Sequence, residues 1–471
     1  MNKVSNEIKI TTQYFEENKE IELYKFGDLK VQTDKNLLKY LKANRVNLNT
    51  NYDVIFEYYQ QLQKEQNTEI LKNNFLCEIP ELLQLRSYID NLDASKLKEY
   101  SISQLYNPDV LHSIMCIINS IFYSKLDDTN NIIIKKYINN LQKINTKSKI
   151  GNAFFVDFLK SSEMFIVKTP KSIDDDNLEH ELIVGLYGTN TLRQYIPNFA
   201  YIYGGFKCSG PILNDNNKVV DWCVNNNYSV NYILYENINQ SISLETYLET
   251  CTSKEYLNIF LQIIYSLRMA NKMIDFTHYD LHTGNILIRD INIEKFQIQY
   301  DTENGVEYIT TDLIATFIDF GMSHIYNEDL IIAGDHIENG HYGVYNFLYY
   351  DVYPNKSWIM SDIYKVLLYS ALVSMNANNN DVIIVISNIY KFFNKDDNLR
   401  TAVITQKDHF YNLPITTEAY ENFTIDKLTT YIRSIYQCDF ISNIKSKDPV
   451  LNCENLSCLS TKEVYENVKL L

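Results

Sequence analysis

Positively charged residues are in short supply in this chain. Its 471 residues contain 43 Lys and Arg against 59 Asp and Glu, which gives a net charge of −16 at pH 7. Because proteins that bind nucleic acid neutralise phosphates with clustered Lys and Arg, this balance argues against a dedicated nucleic-acid-binding protein. An acidic surface instead favours basic protein partners.

The short motifs that hold metals or form redox-active pairs are also missing. None of the eight cysteines lies in a Cys-x-x-Cys pair, and the eight histidines form no ligand motif such as His-Glu-x-x-His. Disulfides are rare in reducing compartments. Zinc sites can usually be recognised in a sequence by the spacing of their Cys and His ligands. We therefore expect a reduced intracellular protein without a histidine metal cluster.

A membrane-spanning segment is absent from the sequence pattern as well. The most apolar window, residues 110–124, contains His112 and is shorter than the ~20 residues that a transmembrane helix needs. The N-terminus lacks the basic-then-apolar pattern of a signal peptide. The sequence thus predicts a soluble protein with no membrane span.

Two short motifs concentrate the side chains that phosphoryl transfer requires. The first runs from His278 to Leu287 and contains Asp280 and Asn285, and the second is Ile318-Asp319-Phe320-Gly321. An aspartate that accepts a hydroxyl proton, together with an asparagine and a second aspartate that hold magnesium, is the arrangement expected of a kinase-like site. Such sites work mainly by positioning and charge neutralisation, so oxygen ligands at fixed spacing are informative.

Hydrophobic periodicity divides the chain into three parts. Residues 1–145 have apolar stripes at spacings of three and four, which predict a mostly helical N-terminal extension. Residues 146–239 contain short β-type runs, and residues 240–471 are mainly helical. We predict strands at 153–158, 164–168, 199–203 and 232–235, a helix beginning near 178, and helices at 254–273, 360–375, 381–393 and 424–436. The fold class is α+β with two lobes and a nucleotide cleft between them.

The paired motifs His278-x-Asp280-Leu281-x-x-x-Asn285 and Asp319-Phe320-Gly321 resemble those of the protein kinase superfamily. The pattern from about 147 to at least 375 is similar to the divergent Ser/Thr kinase-like proteins of giant and other large DNA viruses. This resemblance implies a bilobal kinase-like fold, use of ATP and Mg²⁺, phosphorylation of a protein at Ser or Thr, and a location in the host cytoplasm or the virion.

By the same resemblance, Asp280 is the catalytic base, Asn285 and Asp319 are the metal ligands, and His278 braces the loop. Lys168, at the end of Phe165-Ile166-Val167-Lys168, resembles the strand lysine that binds the nucleotide phosphates. Glu181 is the candidate to hold Lys168, with Glu179 as its alternative. The competing interpretation is that these residues are ordinary surface charges.

The nucleotide-binding elements match less completely. Aligning Val156 with the valine that closes the glycine-rich loop of kinases leaves Gly151 as the one glycine retained, at the middle glycine position of that loop. The segment from Tyr232 to Asn237 resembles the strand and hinge that bind adenine through backbone groups. We therefore predict nucleotide contacts from Gly151, Val156, Lys168, Tyr235 and Asn237.

Several departures leave the substrate class open. Tyr279 replaces an arginine that pairs with a phosphorylated activation loop in many kinases, so regulation by loop phosphorylation is not expected. His282 stands where Ser/Thr kinases carry a lysine, and Asp-Leu-His-x-x-Asn also occurs in aminoglycoside and choline kinases. A small-molecule phosphotransferase and a pseudokinase scaffold are therefore the alternatives. The long segment between Asn285 and Asp319 predicts an inserted β-hairpin with its turn at Asn304-Gly305.

Asp362 is a further candidate. It resembles the helix-start aspartate that braces the catalytic loop in kinases, and its alternative role is that of an acid or cap at a helix N-terminus beside Ser361.

Overall fold

A computed structural model of the chain describes residues 138–144, 151–158, 161–171, 178–193, 195–224, 229–238, 240–330, 340–344, 357–395, 398–406, 422–448 and 450–451, together with 25–26, 29–30, 135, 411 and 413. These residues combine α-helices with mainly antiparallel sheets, which confirms the α+β class. The helical stripes predicted in the N-terminal extension lie outside the described residues.

The strands, in chain order, are β1 (Lys25–Phe26), β2 (Leu29–Lys30), β3 (Ile138–Lys143), β4 (Gly151–Phe158), β5 (Ser161–Pro170), β6 (Ile202–Cys208), β7 (Ile212–Leu213), β8 (Val219–Asp221), β9 (Val230–Glu236), β10 (Ser241–Ser243), β11 (Ile286–Asp290), β12 (Phe296–Thr302), β13 (Gly305–Thr311), β14 (Leu313–Phe317), β15 (Ile325–Tyr326), β16 (His341–Tyr342), β17 (Ile441–Ser442) and β18 (Val450–Leu451). The α-helices are α1 (Leu178–Val184), α2 (Asn190–Leu192), α3 (Leu244–Tyr247), α4 (Ser253–Ile274), α5 (Ile359–Ala377), α6 (Asn380–Tyr390), α7 (Leu399–Gln406) and α8 (Ile425–Ile435).

A five-stranded antiparallel sheet with the order β3-β4-β5-β9-β6 occupies the first part of the described chain. Alternate residues of β4 and β5 are buried, including Phe154, Val156, Phe165 and Val167, as expected for strands with one face against a core. Because β3 pairs with β4, the sheet begins at Ile138, upstream of the boundary expected at 145.

The predicted strand at 199–203 differs in extent from the observed one. Regular pairing of β6 begins at Ile202, and Phe199 instead forms an isolated parallel bridge with Phe317. Phe199 is fully buried and packs edge-on against Phe276 and Phe317. This aromatic contact draws the approach to β6 away from the sheet and towards β14.

Helix α4 forms the centre of the helical part. It begins with a capping box, in which the Thr252 hydroxyl accepts from the Glu255 N–H and the Glu255 carboxylate accepts from the Thr252 N–H at 2.7 Å. It ends at Asp275, which has a left-handed backbone with φ 47°. Most of its side chains are buried, because β12, β14, α5, α6 and α8 all contact it.

The predicted inserted hairpin is confirmed. Strands β12 and β13 pair from Phe296↔Thr311 to Thr302↔Gly305, and Gly305 has φ +93°, a conformation that glycine adopts without strain. The hairpin continues into a four-stranded sheet, because β17 pairs with β13 and β18 pairs with β12. The insertion is therefore integrated with residues far along the chain.

A buried ion cluster joins the five-stranded sheet to β11. The Glu236 carboxylate, at the end of β9, accepts from Arg193 at 2.7 Å and from Arg289 at 2.8 Å. Although burial alone raises the pKa of Glu236, the two guanidinium groups outweigh it and lower that pKa to about 2. The cluster fixes the position where the chain leaves the sheet.

Two cysteines correct the expectation of a fully reduced chain. Cys208, at the end of β6, and Cys223, just after β8, form a disulfide although 15 positions separate them in sequence. The β7–β8 hairpin folds the chain back between them, which a search for Cys-x-x-Cys spacing does not detect. Among the described cysteines, Cys251 and Cys438 are free thiols.

Within the described part of the chain, no helix has both the length and the apolar character needed to cross a bilayer.

The ion cluster predicts how stability responds to acid. The folded pKa of Glu236, about 2, lies below its ordinary value of 4.5, so its stabilising effect is present above about pH 4.5 and is lost as the pH falls towards 2. The shift corresponds to on the order of 3 kcal/mol. Glu236→Gln should lower the free energy of unfolding at pH 7 and flatten its pH dependence below pH 4.5, as measured by urea denaturation. Glu249→Gln, at an exposed position, is the control. Equal slopes for Glu236→Gln and wild type would contradict this role.

Candidate functional site

The Asp280 loop connects the end of α4 to β11 and is hydrogen-bonded to the first turn of α5. Asp362, in the first turn of α5, accepts hydrogen bonds from the backbone N–H groups of His278 at 2.6 Å and Tyr279 at 2.8 Å. Tyr279 is buried and has φ 62°, a conformation that costs a non-glycine residue energy. The two hydrogen bonds fix this unusual backbone, so Asp362 makes the contact with the loop that its sequence position predicts.

Lys365 is a second contact of this loop that the sequence analysis missed. Its Nζ donates to the backbone carbonyl of Tyr279 at 2.5 Å. Burial raises the pKa of Asp362 to about 7, against the opposing effects of the His278 N–H and the Lys365 ammonium. Lys365 follows Asp362 by three positions on a helix, so the helical spacing could have identified it.

Asn285 and Asp319 lie beside each other because β11 and β14 are paired. The register places Ile286 opposite Phe317, and the Ile318 N–H donates to the Asn285 carbonyl at 3.0 Å. The Asn285 side-chain amide donates to the Asp280 carbonyl at 2.9 Å. The amide is therefore anchored through its nitrogen, which leaves its oxygen as the atom that can act as a metal ligand.

Lys168 joins the sheet, α1 and the Asp319 segment. Its Nζ lies 2.7 Å from the Glu181 Oε2 and 2.6 Å from the Asp319 Oδ1. The other oxygen of Glu181 accepts from the Phe320 N–H at 3.0 Å. Three separate segments of the chain therefore meet at one ammonium group.

Charge and burial oppose each other in this group. Burial lowers the pKa of Lys168, but the adjacent Asp319 and Glu181 carboxylates outweigh it and raise that pKa. Burial alone would raise the pKa of Asp319, but the Lys168 ammonium outweighs this effect, so the pKa of Asp319 is lowered. Burial raises the pKa of Glu181 despite the same ammonium. The lysine is accordingly charged at neutral pH, and Asp319 is ionised.

Glu179, the alternative partner for Lys168, is engaged elsewhere. Its carboxylate lies 2.6 Å from the Nζ of Lys207 on β6. Glu179 and Glu181 are two positions apart on a helix and so point in different directions. The structure places Glu181, and not Glu179, against Lys168.

The alignment of the phosphate-covering segment needs correction. Ala153 is opposite Lys168 in the β4–β5 pairing, whereas Val156 is opposite Phe165 and fully buried. Side chains alternate between the faces of a sheet, so Val156 lies on the face opposite to Lys168 and is not placed to contact a nucleotide beside it. The spacing of residues in the sequence does not reveal which face of the sheet a side chain occupies relative to a partner strand.

Gly151 is the residue aligned with the middle glycine of the glycine-rich motif. It is the first residue of β4 and is opposite Pro170. A Cβ atom at this position would lie 3.1 Å from the Thr169 carbonyl oxygen and 3.4 Å from the Lys168 Cε. Its lack of a side chain therefore makes room beside the lysine.

Tyr235 and Asn237 lie at the end of β9. Tyr235 is opposite Ile166, two residues from Lys168, and so shares the lysine's face of the sheet. Burial raises the pKa of Tyr235, and the Glu181 carboxylate raises it further. Asn237 follows the last residue of β9 and is partly exposed.

The two loop histidines have different surroundings. His278 is buried, which lowers its pKa. Its Nε2–H donates to the Ile318 carbonyl at 3.0 Å, because a carbonyl oxygen can only accept. His282 accepts from the Gly284 N–H through Nδ1, which assigns its proton to Nε2, 4.0 Å from the Asp280 carboxylate. His278 thus braces the Asp319 segment, while His282 faces the proposed base.

The site as a whole has an excess of negative charge. The carboxylates of Asp280, Asp319 and Glu181 are accompanied by the Lys168 ammonium, and the Asp280 and Asp319 side chains are 48% and 40% exposed. Oxygen ligands with an uncompensated negative charge suit a hard divalent cation such as Mg²⁺. The arrangement can bind a metal–phosphate group and accept a proton beside it.

Comparison with known proteins supports the kinase resemblance. The chain is 23% identical over 348 residues to a protein of Invertebrate iridescent virus 3 named a probable kinase, a match that covers 71% of this chain and 56% of that protein. It is 30% identical over 230 residues, 47% of this chain and 18% of the relative, to an uncharacterized protein of Invertebrate iridescent virus 6. A probable serine/threonine-protein kinase of Dictyostelium discoideum is 35% identical over 80 residues, 16% of this chain and 6% of that protein.

The chain is therefore similar to kinase-like proteins of large DNA viruses, as the motifs predict. It spans about half the length of the iridovirus probable kinase and less than a fifth of the other relatives described. No protein-family model matches it.

The role of Asp362 is testable by comparing two aspartates that both lie in the first turn of a helix. Asp362→Ala leaves the His278 and Tyr279 N–H groups buried without acceptors, at a cost of about 1–3 kcal/mol for each. Asp381→Ala, at an exposed position of α6, should change stability by less than about 0.5 kcal/mol. Urea denaturation measures both. Similar small losses for the two variants would show that Asp362 is only a helix-terminal acid.

Proposed function

We propose that this chain is an ATP- and Mg²⁺-dependent kinase that transfers a phosphoryl group to a Ser or Thr hydroxyl of a protein. The observation that carries the proposal is the contact of Lys168 with both Glu181 and Asp319, which joins the two halves of the sequence pattern at one point. Similarity to a named probable kinase supports the same class of reaction.

The proposal includes a two-lobed arrangement, with residues 146–239 together with β3 as the strand-rich lobe and 240–471 as the helical lobe. Lys168 and Glu181 belong to the sheet and α1, whereas Asp280, Asn285 and Asp319 belong to segments beyond α4. ATP would bind between these two groups, with Gly151, Tyr235 and Asn237 on the sheet side.

Asp280 acts as the base that accepts the proton of the attacking hydroxyl. Its side chain is 48% exposed, so an acceptor can reach it. Asp362 and the Asn285 amide hold the loop, and His278 fastens it to the Asp319 segment. In phosphoryl transfer the protein performs little covalent chemistry itself. A base held in a fixed position therefore increases the rate mainly by orienting the attacking hydroxyl.

Asn285 and Asp319 would supply the oxygen ligands for magnesium, whose positive charge would offset the negative charge of the nucleotide phosphates. Lys168 adds a positive charge for the phosphates while Glu181 limits its movement. Because Glu181 also accepts from the Phe320 N–H, it holds Lys168 and the Asp319 segment in a single geometry.

A protein acceptor is favoured by the net charge of −16, which attracts basic substrates. One observation favours a second candidate, a small-molecule phosphotransferase. His282 lies 4.0 Å from Asp280 and occupies the place where Ser/Thr kinases carry a lysine. A pseudokinase scaffold is disfavoured, since it has no chemical need for Lys168, Asp280, Asn285 and Asp319 together.

Asp280→Asn should reduce phosphoryl transfer by ~10²–10⁴ and leave ATP affinity nearly unchanged, because the base contacts the acceptor and not the nucleotide. Labelled ATP with Mg²⁺, offered with basic proteins in one arm and small alcohols, sugars and aminoglycosides in the other, measures the transfer. Labelled protein supports the proposal, and label only in the small molecules selects the second candidate. ATP binding without transfer to any acceptor would favour the scaffold. A variant that keeps more than about a tenth of the activity would remove Asp280 from this role.

Lys168 and Glu181 should act as one unit. Lys168→Met and Glu181→Gln each lower activity strongly, and the double variant is little worse than Lys168→Met, because residues serving one function are non-additive. Glu179→Gln is the matched control, since Glu179 lies on the same helix but contacts Lys207. Steady-state rates for the four proteins measure the coupling. Independent multiplication of the two losses would disprove the pairing.

A further inference from the structure

Three potential metal ligands lie close together at the C-terminal end of α4, outside the candidate functional site. Asp275 is the left-handed residue that ends α4, His324 precedes β15, and His341 begins β16. Backbone hydrogen bonds between Thr277 and His324, at 2.8 and 3.1 Å, hold the histidine backbone beside the helix end. Pairing of Tyr326 with His341 brings the third residue to the same place.

The separations of the ligand atoms fit a tetrahedral ion. The His341 Nδ1 lies 3.3 Å from the His324 Nε2 and 3.6 Å from the Asp275 Oδ2, and the three atoms all lie within 4.8 Å of one another. Bonds of about 2.0–2.2 Å from zinc to nitrogen and oxygen place neighbouring ligand atoms of a tetrahedron about 3.3 Å apart. The two separations of 3.3 and 3.6 Å are therefore close to those of a tetrahedral zinc site.

The surrounding hydrogen bonds orient the ligands as metal sites require. The His324 Nδ1 lies 2.9 Å from the Asp275 backbone carbonyl, which makes Nδ1 the donor and leaves the Nε2 lone pair facing His341. Asn271 donates to the Asp275 Oδ1, which leaves Oδ2 facing the cluster. Metal-binding histidines commonly donate their second N–H to a carbonyl in this way.

A metal-free chain of hydrogen bonds explains the cluster less completely. Between the ligand atoms themselves, the 3.6 Å from the His341 Nδ1 to the Asp275 Oδ2 is too long for a hydrogen bond, whereas the 3.3 Å between the two histidines is not. The Asp275 and His341 side chains are 38% and 30% exposed, which gives an ion access and leaves room for water as a fourth ligand. Two imidazoles and a carboxylate prefer zinc to magnesium.

We propose that Asp275, His324 and His341 form a zinc site that fastens the segment after Asp319-Phe320-Gly321 to the end of α4. The site is separate from the proposed catalytic residues and does not depend on the proposed function. Its consequence concerns the position of the β15–β16 pair. With Tyr279 in place of an arginine that could bind a phosphorylated loop, a bound ion would hold this pair without phosphorylation.

Metal content provides a test that does not rely on activity. The full chain, prepared without a histidine tag, is treated with a chelator, reloaded with ZnCl₂, and dialysed in the presence of Mg²⁺. Plasma mass spectrometry then counts zinc for each chain, and CoCl₂ loading reports tetrahedral geometry through its visible absorption. We expect about one zinc in the wild type and a loss of at least tenfold in affinity for His341→Ala and Asp275→Asn.

His282→Ala is the matched control, because His282 is exposed to a similar extent, 35% of its side chain, and lies outside the cluster. It should retain the zinc. If His341→Ala fails to fold, His341→Gln and the wild-type measurement still decide the question. Wild type with less than about a tenth of an equivalent of zinc, or undiminished binding by both cluster variants, would overturn the proposal. Failure of the kinase assays would leave this result unaffected.

Discussion

The position of one ammonium group constrains the whole molecule. Lys168 Nζ must lie within hydrogen-bond distance of Glu181 and Asp319, so β5, α1 and the segment after β14 cannot move independently. Removing charged groups from water is costly, and the cost is recovered only when each has a close partner of opposite sign. The Phe320 N–H adds a further hydrogen bond to Glu181, and the buried Phe320 ring packs near Phe199 and Phe276. The polar contact and the aromatic packing therefore fix the same segment from two sides.

Buried carboxylates elsewhere serve as attachment points between segments. Asp362 binds two N–H groups of the Asp280 loop, and Glu236 binds Arg193 at the end of α2 and Arg289 on β11, which are far apart in sequence. In both places the acid accepts from donors that have fixed geometry, which gives directional contacts that apolar packing lacks. The loop that carries Asp280 thus has a defined conformation while its own carboxylate remains accessible to solvent.

Local sequence patterns were sufficient to predict most helices and strands, but they did not predict every contact between those elements. Periodicity located α4, α5, α6, α8 and the β12–β13 hairpin to within a few residues. Motif spacing selected Lys168 and Asp319, which form an ion pair, and Asp280 and Asn285, which are joined by a hydrogen bond. Val156 was misplaced because the face of a strand depends on register, which is set by a partner strand. The Cys208–Cys223 bond, the Glu179–Lys207 pair and the Asp275–His324–His341 cluster join residues at irregular separations. Such contacts form only when distant parts of the chain come together in the fold, so no periodic sequence pattern predicts them.

The four-stranded sheet built on the insertion has a consequence for synthesis. Strands β12 and β13 are complete by Thr311, but the strands that cover their outer edges, β17 and β18, lie at Ile441–Ser442 and Val450–Leu451. At about 5–20 residues per second, a ribosome needs several seconds or more to add the intervening residues. During that interval the hairpin presents two uncovered edges, which readily pair with other chains. A nascent chain would therefore benefit from a chaperone at this stage, and variants shortened before residue 441 would keep those edges exposed.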